Sequence, residues 1–206
     1  MACAICEVRK PRRYCPGVRG DICTICCGTE RENTVSCPLE CEYLQESRIR
    51  EKPPLLSADD LPNKDIRVND AFLRKHEPLL VVLAASAMNA ALEYDGTIDY
   101  DVREALDAHI RTYRTMQSGL VYETRPTNPM AAHVYGRIQE SVENLRRKLQ
   151  ESTGMSSIRD ADVLGILVFL HRMELQHNNG RQKGRAFIDF LRQYFPQKPV
   201  EASLLA

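Results

Sequence analysis

The stretch PLLVVLAASAMNAALEYDG, residues 78–96, is apolar at nearly every position up to Leu92, with only Ser86 and Asn89 interrupting. It is too long for a typical strand and has no period of two, so it reads as an α-helix. Pro78 suits the first turn, where a missing N–H costs nothing, and Asp95-Gly96 ends the helix near Tyr94. A helix that is apolar on most of its faces belongs at the centre of a bundle.

The flanking sequence supplies the other members. Asp101, with Glu104 three residues on, has capping-box spacing for a second helix carrying Val102, Leu106, Ile110, Tyr113 and Leu120 near one stripe. Asn128-Pro129 reads as an N-cap and first-turn proline for a third, with Val134, Ile138, Val142, Leu145 and Leu149 at 3–4 spacing, ending at Gly154. Ser157 or Asp160 caps a fourth through Val163, Leu167 and Leu170 to about Gln176, before Asn178-Asn179-Gly180. A fifth, Arg185 to Phe195, places Phe187, Phe190, Leu191 and Tyr194 on one face, and Pro196 follows. The expectation is a mostly α protein in which residues 70–196 form an all-α bundle of about five helices, followed by a tail at 197–206. Upstream, EKPPLLSADDLPNKD (51–65) is too rich in proline for helix and marks a linker over 46–69, pinned to the bundle by Leu55, Leu56 and Leu61.

Residues 1–45 differ in kind. All eight cysteines lie between positions 3 and 41: CAIC (Cys3, Cys6), Cys15, CTICC (Cys23, Cys26, Cys27) and CPLEC (Cys37, Cys41). Two CxxC pairs separated by sixteen residues are a strong zinc signal, since each tight turn lets two sulfurs grip one ion. Eight thiols divide into two four-sulfur sites. Consecutive side chains diverge, so Cys26 and Cys27 belong to different ions. One division that separates them, and the one expected here, puts Cys3, Cys6, Cys23 and Cys26 at one zinc and Cys15, Cys27, Cys37 and Cys41 at the other; spacing alone leaves other pairings open. The two sets interleave along the chain as a cross-brace. Six scattered aliphatics (Ile5, Val8, Ile22, Ile25, Val35, Leu39) cannot fold such a segment alone, whereas structural zinc contributes about 10–16 kcal/mol to a small finger. Four thiolates leave no open position on the ion, which makes both zincs structural.

This pattern resembles the interleaved cysteine arrays of small cross-brace zinc fingers of the HIT and MYND sort, over residues 3–41. The resemblance implies a non-catalytic protein-interaction module. Two other readings of the cysteines are weaker. A disulfide framework suits a secreted domain, but the opening MACAICEVRK has no apolar leader, so a reducing, cytoplasmic setting is expected. A redox CTIC would need a βαβ context that the sequence lacks.

Lysine plus arginine and aspartate plus glutamate both total 28, tryptophan is absent and aromatic residues make up 6%, which weighs against a nucleic-acid stacking platform. No run approaches the roughly 18 apolar residues of a membrane span. Arg9, Lys10, Arg12, Arg13 and Arg19 surround the first cysteines; charge compensation of thiolate-bound zinc explains them better than phosphate contact. Arg181, Lys183 and Arg185 sit in a Gly-containing loop that opens the last helix, where basic side chains and free N–H groups can converge on an anion. His171, Glu174 and His177 share a helix face and include one ExxH element; di-iron bundles need a second, and it is missing. The Asp95, Asp99 and Asp101 group lacks calcium-loop spacing and reads as helix caps. No catalytic signature such as GxSxG, HExxH or a P-loop occurs. The leading expectation is a zinc-binding adaptor or regulator with a protein partner. Its alternatives are an RNA-binding protein using residues 9–19 and 181–185, and an enzyme with a site near His171, Glu174 and His177.

Overall fold

A computed structural model of the chain describes residues 2–52, 57, 60–120, 122–153 and 158–195. The protein is mostly α-helical, with eight helices among these residues, as the sequence leads one to expect. Leu55, Leu56, Gly154, Ser157, Pro196 and the tail at 197–206 lie outside the described residues.

The cysteine-rich segment opens with a two-stranded antiparallel hairpin, β1 (Arg13–Cys15) and β2 (Gly20–Ile22), in which Tyr14 pairs with Asp21. Two short helices follow, α1 (Thr24–Thr29) and α2 (Glu42–Arg50). Helix α3 (Asp70–Lys75) is capped by the Asn69 side chain, which accepts from Phe72 N at 2.9 Å, and it leads into α4 (Glu77–Leu92). The remaining helices are α5 (Asp99–Gln117), α6 (Pro129–Thr153), α7 (Asp160–His177) and α8 (Ala186–Tyr194).

Helix α4 is central, packing against α6, α7 and α8, while α5 packs against α6 and α7. Leu83, Ala84, Met88, Ala90 and Ala91 of α4 are fully enclosed, together with Leu106, Ile138, Leu167 and Phe187 from the other helices. Small residues on α4 let its neighbours approach closely on several sides. One residue of the cysteine-rich segment, Leu39, belongs to this same core.

Two details of α5 differ from expectation. It begins at Asp99, two residues before the predicted cap. Asp101 acts instead from the first turn, its Oδ2 accepting from Ile98 N at 2.8 Å and its Oδ1 from Asn128 Nδ2 at 2.6 Å. At the other end the helix stops at Gln117 and the chain turns through Gly119 at φ +80°, a conformation glycine adopts without strain. Leu120 therefore falls past the helix and is exposed instead of joining the apolar stripe. By contrast, α6 starts as read: Asn128 Oδ1 accepts from Met130 N at 3.0 Å, with Pro129 as first helical residue.

Candidate metal centre and its dock on the helical body

Local backbone geometry brings the first cysteine set together. The turn after Cys3 closes through Glu7 N to Cys3 O at 2.9 Å, with Glu7 at φ +54°. Ala4 N donates to Asp21 O at 2.9 Å and fixes this turn onto β2. Cys23 precedes α1, and its sulfur accepts from Cys26 N at 3.4 Å, while Cys23 N donates to Cys3 Sγ at 3.2 Å. The outcome is that the Sγ atoms of Cys3, Cys6, Cys23 and Cys26 all lie within 4.8 Å of one another. Zinc–sulfur bonds of about 2.3 Å in a tetrahedron place sulfurs about 3.8 Å apart, so small adjustments complete the site.

The chemistry of the donors fits a cation. All eight cysteines are free thiols. Burial raises Cys3, but N–H groups of Cys6, Cys23 and Ile5 outweigh it and bring this thiol down to about 6. Burial and the neighbouring sulfurs push Cys26 up to about 12. Four crowded sulfurs cannot all ionise against one another; a divalent ion removes that conflict. Arg9 also belongs here: hydrogen bonding to Cys23 and the charge of Cys6 hold its guanidinium above its usual value.

The remaining four cysteines, Cys15, Cys27, Cys37 and Cys41, line a single cleft closed by Tyr43 and Leu44. Cys26, a member of the first set, also borders this cleft beside Cys27. Arg13 Nη1 and Arg31 Nη2 each lie 3.7 Å from Cys27 Sγ, and the Arg13 guanidinium also stacks 3.8 Å over the Tyr43 ring. This second set does not close to the 4.8 Å spacing of the first. Its two loops nevertheless press together at Gly17, where a Cβ would sit 2.6 Å from Ser36 O and 2.8 Å from a Val35 methyl. Gly17→Ala must separate the Cys15 loop from the Cys37 loop. The expected cost is about 1–3 kcal/mol of stability. If the Cys15 and Cys37 loops share an ion, a chelator should remove it from zinc-incubated Gly17→Ala more readily than from wild type.

Between the cysteine pairs, the loop after α1 docks on the helical body through one glutamate. Glu32 is fully buried and its backbone is at φ +53°, a strained conformation for a residue other than glycine. Its Oε1 accepts from Arg48 Nη2 at 2.7 Å and from Arg185 N at 3.0 Å, and its Oε2 from Asn179 Nδ2 at 2.7 Å. Its carbonyl accepts from Lys183 N at 2.7 Å. Arg48 also pairs with Asp189 of α8, so one guanidinium bridges the two parts of the chain.

The three basic residues singled out in the sequence sit at this junction. Arg181 Nη1 donates to Arg31 O at 2.6 Å and its Nη2 to Glu51 Oε1 at 3.1 Å. Lys183 Nζ donates to Thr34 O at 2.6 Å. Arg185 contributes its backbone N–H to Glu32, while its buried side chain reaches Ala91 O at 3.4 Å. The Arg185 N–H and the Asn179 side chain meet the Glu32 carboxylate, and the Arg181 guanidinium meets that of Glu51. Glu32, Arg48, Asn179 and Asp189 carried no signal of this role in the sequence.

A second internal carboxylate fills the N-terminus of α8. Asp99 Oδ2 accepts from Phe187 N and its Oδ1 from Ile188 N, both at 3.0 Å. Burial raises Asp99 to about 7 from its ordinary 3.8, against the two N–H bonds that lower it. The unfolded chain releases this proton near 3.8, and the folded chain holds it until about 7. The folded state therefore binds more protons in that interval, and Asp99 makes stability fall as pH rises from about 4 to about 7. Urea unfolding across this range should show that decline, and Asp99→Asn should flatten it.

The His171, Glu174 and His177 group does not converge. Both Glu174 oxygens are taken by Arg103, at 2.6 Å from Nε and 3.0 Å from Nη2. His171 is buried, and His177 stacks on Phe190 with ring centroids 3.8 Å apart. Among the described residues no helix is long and apolar enough to cross a membrane. No family model, curated protein or solved structure matches the chain.

Proposed function

We propose that the protein is a non-enzymatic adaptor or regulator, in which two structural zinc ions fold the cysteine-rich segment and its outer surface engages a protein partner. The observation carrying this reading is the four-sulfur cluster of Cys3, Cys6, Cys23 and Cys26, which brings four donor atoms within 4.8 Å of one another. An ion so held has no open position for water or substrate, which suits a structural role. Cys15, Cys27, Cys37 and Cys41 would hold the second zinc, with Arg13 and Arg31 offsetting its thiolate charge. The segment also leaves Val8, Tyr14, Val18 and Ile25 exposed, apolar side chains that its fold does not use. Exposed aromatic and aliphatic groups on a rigid, metal-held frame are features of protein-binding surfaces.

The RNA-binding alternative retains Arg9, Lys10, Arg12 and Arg19, which are exposed. It loses support at the second loop, because Arg181 and Lys183 are bonded to the cysteine-rich segment. The test compares affinity capture by the zinc-loaded wild type with capture by a variant carrying Tyr14→Ser and Ile25→Ser. A partner retained by the first and lost by the second, at equal zinc content, supports the adaptor reading. Salt-sensitive binding of a generic RNA with no surface-dependent protein partner would replace it with the alternative.

A further inference from the structure

Within the adaptor reading, on which this step rests, we infer that the surface of the cysteine-rich segment at residues 8–25 docks an acidic peptide of a protein partner, one that sets aliphatic or aromatic side chains between its carboxylates. Residues 8–20 carry five basic side chains and no acid. The structure divides these cations by what they touch. Arg9 is tied to Cys23 and Cys6, and Arg13 lies 3.7 Å from Cys27 Sγ. Lys10, Arg12 and Arg19 are exposed, and their side chains make no hydrogen bond or ion pair among the described residues. Compensation of thiolate charge therefore accounts for two of the five and leaves three unmatched.

Apolar side chains are set among these cations: Val8, Tyr14, Val18 and Ile25 are all exposed. Backbone bonds lace the turn bearing Val8 to the hairpin bearing Tyr14 and Val18. Ala4 N donates to Asp21 O and Arg12 N to Ile22 O, both at 2.9 Å. A Cβ on Gly20 would lie 3.1 Å from the Ala4 methyl, so the two loops are in close contact. A surface held in this way is ordered before a partner arrives, and binding costs little conformational entropy. Charge along the segment is sorted. Its acids Glu40 and Glu51 pair with Arg192 and Arg181 of the helical body, and Glu32 accepts from Arg185 N. The body thus complements the acidic side, whereas no described residue complements Lys10, Arg12 and Arg19. The bordering acids, Glu7 and Asp21, are outnumbered.

These features favour a protein over a nucleic acid. Three free cations fall short of the about 6–10 phosphate contacts from which a nucleic-acid binder gains its affinity. Of the four exposed apolar side chains, Tyr14 alone can stack on a base. Aliphatic groups bordered by cations instead match a peptide that is both acidic and apolar. Its hydrophobic side chains are desolvated against Val8, Tyr14, Val18 and Ile25, and its carboxylates steer it from the rim.

The probe is a displayed library of random dodecapeptides, selected on the zinc-incubated full chain and counter-selected on a variant carrying Arg12→Glu and Arg19→Asp. Aspartate suits position 19, where φ is +53°. The enriched peptides should be net acidic and contain apolar residues. They should bind the variant at least about 10-fold more weakly than wild type at equal zinc content. Replacing their apolar residues by serine should cost at least about 5-fold. Should the variant fold poorly, salt decides: binding to wild type should weaken several-fold as salt rises from about 0.05 to about 0.5 M. No enrichment, enriched peptides that are neutral or basic, or binding indifferent to both the variant and salt would overturn the inference. So would an oligouridylate that binds more tightly than the peptides and loses affinity in the same variant. A partner captured through Tyr14 and Ile25 while no acidic peptide is selected would leave the adaptor reading standing and remove the acidic partner.

Discussion

Stripping the proposed zinc with a strong chelator is expected to unfold the first 45 or so residues while α4 to α8 stay helical. The cysteine-rich segment has its own small cluster around Ile22 and Val35, and apart from those two residues that cluster consists of the cysteines themselves and Ile5. Without an ion, the sulfurs of Cys3, Cys6, Cys23 and Cys26 are a buried group of competing acids. With one, the structure gains on the order of 10–16 kcal/mol, more than the about 5–15 kcal/mol that stabilises a typical domain. The helical core has no such dependence, because Leu83, Met88, Leu106, Leu167 and Phe187 bury one another. Hydrogen exchange should therefore show rapid exchange at β1, β2 and α1 after chelation, slow exchange at α4 and α7, and recovery on adding zinc. Cys23→Ser should reproduce the chelated state. Unchanged protection of the hairpin after complete metal removal would contradict the account.

Glu32→Ala should produce the second largest effect, a loss of about 3–5 kcal/mol, because it leaves Arg48 buried with one of its two counter-charges gone. The same change removes the acceptor of Arg185 N and Asn179 Nδ2. Relief of the strained backbone at Glu32 does not compensate, since alanine is also disfavoured at φ +53°. For a chain of this size the corresponding fall in melting temperature is about 6–20 °C. Arg111→Ala, which removes an exposed i, i+4 pair with Asp107 on α5, should cost about 1 kcal/mol or less and serves as the comparison. A Glu32→Ala protein as stable as the Arg111→Ala protein would show that the two parts of the chain are not joined through this network.

The features legible in the sequence are those that local chemistry determines. The apolar run of α4, the Asn128-Pro129 start of α6 and the stop at Asn178 each announce themselves within a few residues. The CxxC pairs did the same for the four-sulfur cluster. Strands of three residues have no measurable period, so β1 and β2 gave no signal, and the polar EYLQESRIR of α2 has too weak an apolar stripe to stand out. The larger difficulty lay in carboxylates. Asp99 and Asp101 read as local caps, yet Asp99 serves the N–H groups of Phe187 and Ile188, 88 and 89 residues away. Glu32 was one acid among several in its segment, and its partners Asn179 and Arg185 are 147 and 153 residues distant. The basic loop at Arg181–Arg185 read as a candidate anion site; that it meets the chain's own Glu32 and Glu51 carboxylates is a property of the tertiary fold.

Elemental analysis of protein purified without added metal tests the central claim most directly. The account predicts two zinc ions per chain, one remaining after Cys15→Ser with Cys37→Ser, and none after further replacing Cys3 and Cys23. A metal-free protein with eight freely titrating thiols and a folded, protected hairpin would contradict it.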